Sequence, residues 1–278
     1  MKLSVGRDGA EFASDRGAVA GLYHFDNPWK PYLAPLNSPA GHNLMLAMSH
    51  DHKHQRGLMY ALRAKDVNWW EERVVREGEA IGVVRHERLD AVRTTGQTLS
   101  LSHTLLWTDQ AGALDTFREM RTLSCSETAE GFAWRWEAKF EVLRDAELVL
   151  SQWAHPRSDG SKVNYHGLGF RFIRDFDGAF KQTKLIVDGA ETTVDEAIGA
   201  RPKVVTLTGV LDGFEVAPRA GVTIRQSADH PLFIMTEPYP LLSLGPSNLG
   251  PVSFRKGDSF AEDFQFLVFD GEPPAGAA

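Results

Sequence analysis

The chain has a single cysteine, Cys125, which excludes an internal disulfide framework and any cysteine-based zinc site. Its setting predicts a side chain that fills a strand's core face rather than a nucleophile. No stretch approaches the ~18 consecutive apolar residues of a membrane span, and Met1 to Asp8 lacks the apolar core of a signal peptide. A soluble, cytoplasmic protein with no membrane partner is therefore expected. Lys and Arg number 30 against 37 Asp and Glu, for a net charge of −7. Without a basic stripe there is no electrostatic footprint for nucleic acid. A Gly-x-Ser-x-Gly elbow, a Gly-x-Gly-x-x-Gly turn and a phosphate loop are also absent, which weighs against a serine hydrolase, a dinucleotide enzyme and a kinase. There is no internal repeat and no low-complexity linker.

What the chain does have is period-two alternation. Phe132, Trp134, Trp136, Ala138 and Phe140 fall on one face of a strand, with Arg135, Glu137, Lys139 and Glu141 on the other, the pattern of a sheet with one buried face. Leu99, Leu101, His103, Leu105 and Trp107 repeat it, and Val204 to Thr208, Val222 to Arg225, Leu232 to Met235 and Phe260 to Phe269 supply further strands between turn signals. The expectation is an all-β fold, an antiparallel sandwich forming one domain over residues 1–270, with 271–278 a flexible C-terminal tail. Helix should occupy less than about a fifth of the residues. Val194 to Gly199 is the best helical stretch, and Val67 to Glu77 is either a helical turn or two or a strand.

The densest chemistry lies in His50-Asp51-His52-Lys53-His54-Gln55-Arg56-Gly57, which holds three of the ten histidines. If this run is extended, His50, His52 and His54 share a face and Arg56 continues the row. Imidazoles and a cation so grouped suit acid/base work, the binding of oxygen anions or, with a carboxylate, a zinc or manganese site. Nearby, a proline-fixed segment presents Tyr32, and Trp69-Trp70 follows downstream; such rings are either stacking platforms for a ring-shaped ligand or core. A second cluster spans Asn164-Tyr165-His166-Gly167-Leu168-Gly169-Phe170-Arg171, where the glycines permit close backbone approach and His166 and Arg171 are the candidate site residues. His155, before a proline, reads as a surface residue. Glu237 closes an apolar strand ahead of Pro238, at a strand end where loops form pockets, and partial desolvation there would suit it to general base work. Glu119 and Arg121 alternate on one strand face and are candidates for an inward ion pair flooring a cleft. His103, among leucines, reads as a hydrogen-bonded core histidine.

The motifs Lys30-Pro31-Tyr32-Leu33-Ala34-Pro35-Leu36, Pro39-x-Gly41, His52-x-His54-Gln55-Arg56-Gly57-Leu58, Trp69-Trp70, Arg118-Glu119-x-Arg121 and Gly167-Leu168-Gly169-Phe170-Arg171 resemble the bacterial family labelled methane oxygenase PmoA-like. The resemblance covers most of the chain. It departs at Gln55, where the family has a second histidine. The methane oxygenase subunit itself is a membrane protein, so methane oxidation is not expected of a chain without a span. The resemblance implies a supersandwich similar to galactose mutarotase-like proteins and a small-molecule carbohydrate partner. It also implies a site in which His52, His54 or His166 acts as acid and Glu237 as base, Arg56 and Arg171 hold sugar oxygens, and Tyr32, Trp70 and Glu119 complete the binding surface. Glu71, Glu72 and Glu119 are the substitutes should Glu237 be structural. Epimerase, lyase or hydrolase chemistry on a sugar or keto-glycoside, without a cofactor, is the first reading; a non-catalytic carbohydrate-binding protein and a metal-dependent sugar enzyme are the alternatives. Oligomeric state is left open.

Overall fold

The computed structural model describes residues 1–157, 159–178 and 182–274; of the expected tail, residues 275–278 lie outside the described residues. The chain is nearly all β, with 51% of it in strands. Helix among the described residues is limited to one 3₁₀ turn, Arg174–Phe176, and one α-helical turn, Val194–Ala197. The latter falls where the sequence placed it and is closed by a capping box: the Glu196 N–H donates to Thr193 Oγ1 at 3.3 Å and the Thr193 N–H to Glu196 Oε2 at 3.1 Å. Val67 to Glu77 begins as a two-residue strand, Val67–Asn68, which pairs in parallel with Ala80–Thr95, and runs on without regular structure.

Two large sheets account for most of the strands. The first has eight, in the order Lys2–Val5, Gly9–Ala13, Val19–His24, Tyr32–Leu36, Leu58–Ala61, Gly167–Arg171, Leu241–Leu244, Leu232–Met235. The second has ten, in the order Ala190–Thr192, Lys184–Val187, Val204–Val210, Arg219–Gln226, Ser259–Asp270, Phe132–Val142, Phe117–Glu127, Thr98–Asp109, Ala80–Thr95, Val67–Asn68. They pack face to face through aromatic pairs drawn one from each sheet: Phe12 on Trp134 at 4.9 Å, Tyr60 on Phe140 at 5.6 Å and Phe170 on Phe266 at 5.7 Å between ring centroids. The strand Phe117–Glu127 shows how alternation builds this layer. Phe117, Glu119, Arg121, Leu123 and Cys125 are buried, while Arg118 and Met120 are exposed.

The inner layer also takes polar residues, which pair with one another. Arg121 grips Glu119 through two nitrogens at 2.6 and 2.8 Å, Trp107 Nε1 donates to Glu119 Oε2 at 2.8 Å, and Arg121 Nη1 donates to the Tyr23 hydroxyl at 3.0 Å. His103 bonds the same hydroxyl at 2.9 Å and His86 at 3.1 Å, the satisfied core histidine its leucine neighbours suggested. Trp69, fully buried, donates from Nε1 to the Thr108 carbonyl at 2.9 Å and packs on Trp107.

In the first sheet, register decides what faces outward. Tyr60, Leu168, Leu244 and Leu232 are cross-strand neighbours on the inner face, and the intervening row Met59, Gly169, Ser243 and Phe233 lies on the outer one. Arg171, Leu241 and Met235 form a second outer row. The candidate site is built over these two rows.

Candidate functional site

The chain that connects Leu36 to Leu58 crosses the outer face of the eight-stranded sheet and carries the histidine run. It is not an extended row. The Gln55 N–H turns back to the His52 carbonyl at 3.0 Å, which leaves His50 exposed and sets His52 and His54 into a cavity of 360 Å³. Gly57 ends the run at φ +56°, in a cradle where a Cβ would stand 2.7 Å from the Leu33 carbonyl oxygen, so a glycine is required there. Phe233, Met235 and Leu241 of the sheet form the cavity's apolar floor; Tyr239, Tyr165 and Trp153 give it aromatic walls, and Gln55, Glu71, Arg73 and His155 supply polar groups.

Lys30 organises this side of the molecule. Its side chain is 1% exposed, and its ammonium donates to the backbone carbonyls of His54, at 3.2 Å, and Trp70. Burial lowers its pKa to about 8, against the pull of Glu72 at 3.9 Å. The two carbonyls belong to His54 itself and to the residue before Glu71, so one cation pins both loops. His54 Nδ1 and Glu71 Oε2 then lie 3.4 Å apart. Burial drives the imidazole down to about 3, helped by Lys30, His52, Arg73 and Arg171, and pushes the Glu71 carboxyl above the ordinary glutamate range, against Lys30 and Arg73. Two acceptors in the cavity wall, Gln55 Oε1 and Glu71 Oε2, are buried and have no hydrogen-bond partner among the described residues.

The other expected site residues are distributed around this cavity or away from it. Arg56 does not line it: its Nε and Nη2 are held by the two carboxylate oxygens of Glu72 at 2.5 and 2.7 Å, so its fork is already occupied. His166 is fully buried behind the wall, its Nδ1 2.6 Å from Asn164 Nδ2 and its backbone N–H on Asn248 Oδ1 at 3.1 Å; burial, then Arg63 and Lys30, holds its pKa well below the usual histidine value. Trp70 is fully buried, packs on His166 and Tyr165, and rests over Gly169, where a Cβ would meet its Cη2 at 3.0 Å. It supports Tyr165 and His166 and is not an open platform. Gly167 serves differently: at φ +101° it lies so close to the next strand that a Cβ would fall 2.1 Å from the Leu244 carbonyl oxygen.

Arg171 lies beneath Tyr239, its guanidinium 4.1 Å from the ring centroid and its Nη1 donating to the Pro240 carbonyl at 3.1 Å. Tyr32 is stacked on His24 at 4.5 Å and does not reach the cavity. Glu119 lies between the sheets, paired with Arg121, and floors no cleft; its strand position points it inward with Phe117 and Leu123. Glu237 is exposed and is not a lining residue, although Met235 and Tyr239 on either side of it are. Alternation alone would place it on the face of Met235 and Tyr239, but the strand ends at Met235 and residues 237–239 form a bend that leaves Glu237 outside, so the carboxylate in the cavity is that of Glu71. His155, exposed, stands at the mouth. Among the described residues no group of three or more His, Cys, Asp and Glu side chains is placed to hold a metal ion; with His50 turned to solvent, the three histidines do not converge.

Sequence reasoning did not assign Lys30, Gln55, Tyr239 or Arg73 to the site, and ranked Glu71 below Glu237. The available signal for Glu71 was an acidic pair placed directly after two tryptophans, a polar step at the edge of a buried segment.

Residues 10–278 match the family described as a family of unknown function, DUF6807. The chain belongs to the DUF6807 family. No curated protein matches this DUF6807 chain in sequence. Solved structures similar to it include a galactose mutarotase-like protein from Lactobacillus casei (TM-score 0.37, 9% identity, covering 96% of this chain and 99% of that one). The Slr1438 protein from Synechocystis scores 0.45 at 11% identity, over 96% and 99% of the two chains. A galactose mutarotase-like protein from Clostridium acetobutylicum scores 0.40 at 9%, over 95% and 92%. At such identities, no side-chain role is transferred from them to the DUF6807 chain. No helix among the described residues is long and apolar enough to cross a membrane.

Proposed function

We propose that the cavity binds a carbohydrate ring and that Glu71 moves a proton on it beside a neutral His54. The observation that carries this reading is the pair of buried, unpartnered acceptors, Gln55 Oε1 and Glu71 Oε2, in a cavity with aromatic walls. A buried acceptor left without a donor costs about 1–3 kcal/mol, and a ligand rich in hydroxyl donors removes that cost. Sugar rings also offer apolar faces to Tyr165, Tyr239 and Trp153. A carboxyl whose pKa is raised by burial is a better general base near neutral pH, and His54, neutral there, neither competes for the proton nor repels a cationic transition state. The chemistry this pair suits is removal of a proton from a hydroxyl or from a carbon beside a carbonyl, as in epimerisation or elimination.

The test is a thermal-shift screen with monosaccharides, disaccharides, uronates and keto-sugars, followed by NMR of the sugars that bind. One class should raise the midpoint, since a ligand at a hundred times its Kd adds about 2.7 kcal/mol of stability. Glu71→Gln should retain that binding within a few-fold and abolish turnover. A screen with no hit in any class refutes the reading; binding by the wild-type chain with no turnover of any hit makes this a carbohydrate-binding protein instead.

A further inference from the structure

Trp153 lines the cavity yet is 50% exposed. A cavity of 360 Å³ is at the low end for ligand pockets, with room for roughly one sugar ring. An indole that walls such a space and still shows half its surface to water has a face outside the first ring's position. We infer that the site continues outward into a second ring-binding subsite on Trp153, so that its substrates are glycosides or oligosaccharides rather than free monosaccharides. The inference rests on the carbohydrate reading above.

The platform is built rather than incidental. The Trp153 N–H donates to Ser151 Oγ at 3.2 Å and the Ala154 N–H to the Ser151 carbonyl at 3.1 Å, while Ser151 itself is held by Tyr165 at 2.7 Å and by Asn164 Oδ1 at 3.0 Å. Gln152 receives Arg63 Nη2 at 3.3 Å and donates to the Val75 carbonyl at 3.1 Å, which ties this turn to the loop bearing Glu71 and Arg73. The indole is therefore presented by a segment fixed at both neighbours, so that little entropy is lost on stacking. His155 and Arg73, both exposed at the same mouth, offer hydrogen bonds to the hydroxyls of a ring lying on the indole.

The experiment compares wild type, Trp153→Ala and Trp153→Tyr by calorimetric titration with glucose, galactose, xylose and glucuronate and with disaccharides that end in each. The wild-type chain should bind a disaccharide about tenfold more tightly than the corresponding monosaccharide, as expected for partial burial of one aromatic face. Trp153→Ala should remove most of that difference and Trp153→Tyr should keep it, with thermal midpoints confirming the fold of both. Equal affinity for the two ligands in wild type, or equal losses for both in Trp153→Ala, overturns the second subsite while leaving the first intact. Absence of binding by every sugar refutes the carbohydrate reading and this inference with it.

Discussion

His54 Nδ1 stands 3.4 Å from Glu71 Oε2 at the wall of the cavity, each residue carried by a different loop and both loops pinned by Lys30. Burial moves the two groups in opposite senses, the imidazole down and the carboxyl up. Both shifts favour the uncharged form. The raised carboxyl therefore stands nearer to exchanging a proton with a ligand than it would in water, beside an imidazole that stays neutral.

Activity should follow the ionisation of Glu71. As the base, it must be charged, so the rate should climb with pH through a midpoint above the ordinary glutamate value of 4.5. Glu71→Gln should abolish turnover, whereas Glu237→Gln should leave the acidic limb in place, because Glu237 is exposed and outside the cavity. An acidic limb that disappears in Glu237→Gln would transfer the base role to that residue.

Lys30→Met should destabilise the chain by about 2–5 kcal/mol, since it strips donors from two carbonyls in a dry setting. Lys30 also lowers the pKa of both His54 and Glu71. In the variant both should therefore titrate at higher pH, measurable for His54 by NMR and for the fold by urea denaturation. An unmoved His54 titration would show that the lysine only braces the loops.

Gly167 and Gly169 should respond unequally to alanine. At Gly167, positive φ and a carbonyl oxygen 2.1 Å from the new Cβ combine strain with backbone clash, and a loss of more than about 3 kcal/mol is expected. At Gly169 the obstacle is the Trp70 ring at 3.0 Å, which has to shift by a few tenths of an ångström, so the loss should be about 1–2 kcal/mol. Chemical denaturation of the two variants gives the comparison, and equal losses would refute it.

Stability should fall in mild acid. His54 titrates at about 3 in the folded chain, and His103 and His166 are held well below the usual value of 6.5. Between that value and the folded pKa the unfolded chain binds more protons, so stability rises with pH across this window and is lost as pH falls from 6.5 toward 3. Glu71, raised, acts in the opposite sense above 4.5. His54→Gln should flatten part of the slope in a denaturation series from pH 7 to pH 4; an unaltered slope would mean that His54 is accessible to protons in the fold.

Much of the fold was legible because alternation in sequence and burial in space are the same property of a strand. Phe132 to Phe140 and Leu99 to Trp107 take the inner face as their pattern requires, and the Thr193 to Glu196 cap gives the short helix its place. The site was less legible. A dense histidine run pointed to His52 and His54, but a loop has no fixed period, and the turn at His52 to Gln55 removed His50 from the group.

By itself the sequence determined the class of fold, the faces of the strands and the loop that carries the imidazoles, since each depends on residue type and spacing along the chain. Only the tertiary structure decided that Glu71 rather than Glu237 enters the cavity, that Arg56 is spent on Glu72, and that Trp70 lies beneath the site while Trp153 stands at its mouth. These are outcomes of which loops are brought side by side over one sheet. A buried lysine bonded to two carbonyls distant in sequence holds the loops of His54 and Glu71 together, and such a contact leaves no period or motif in the sequence.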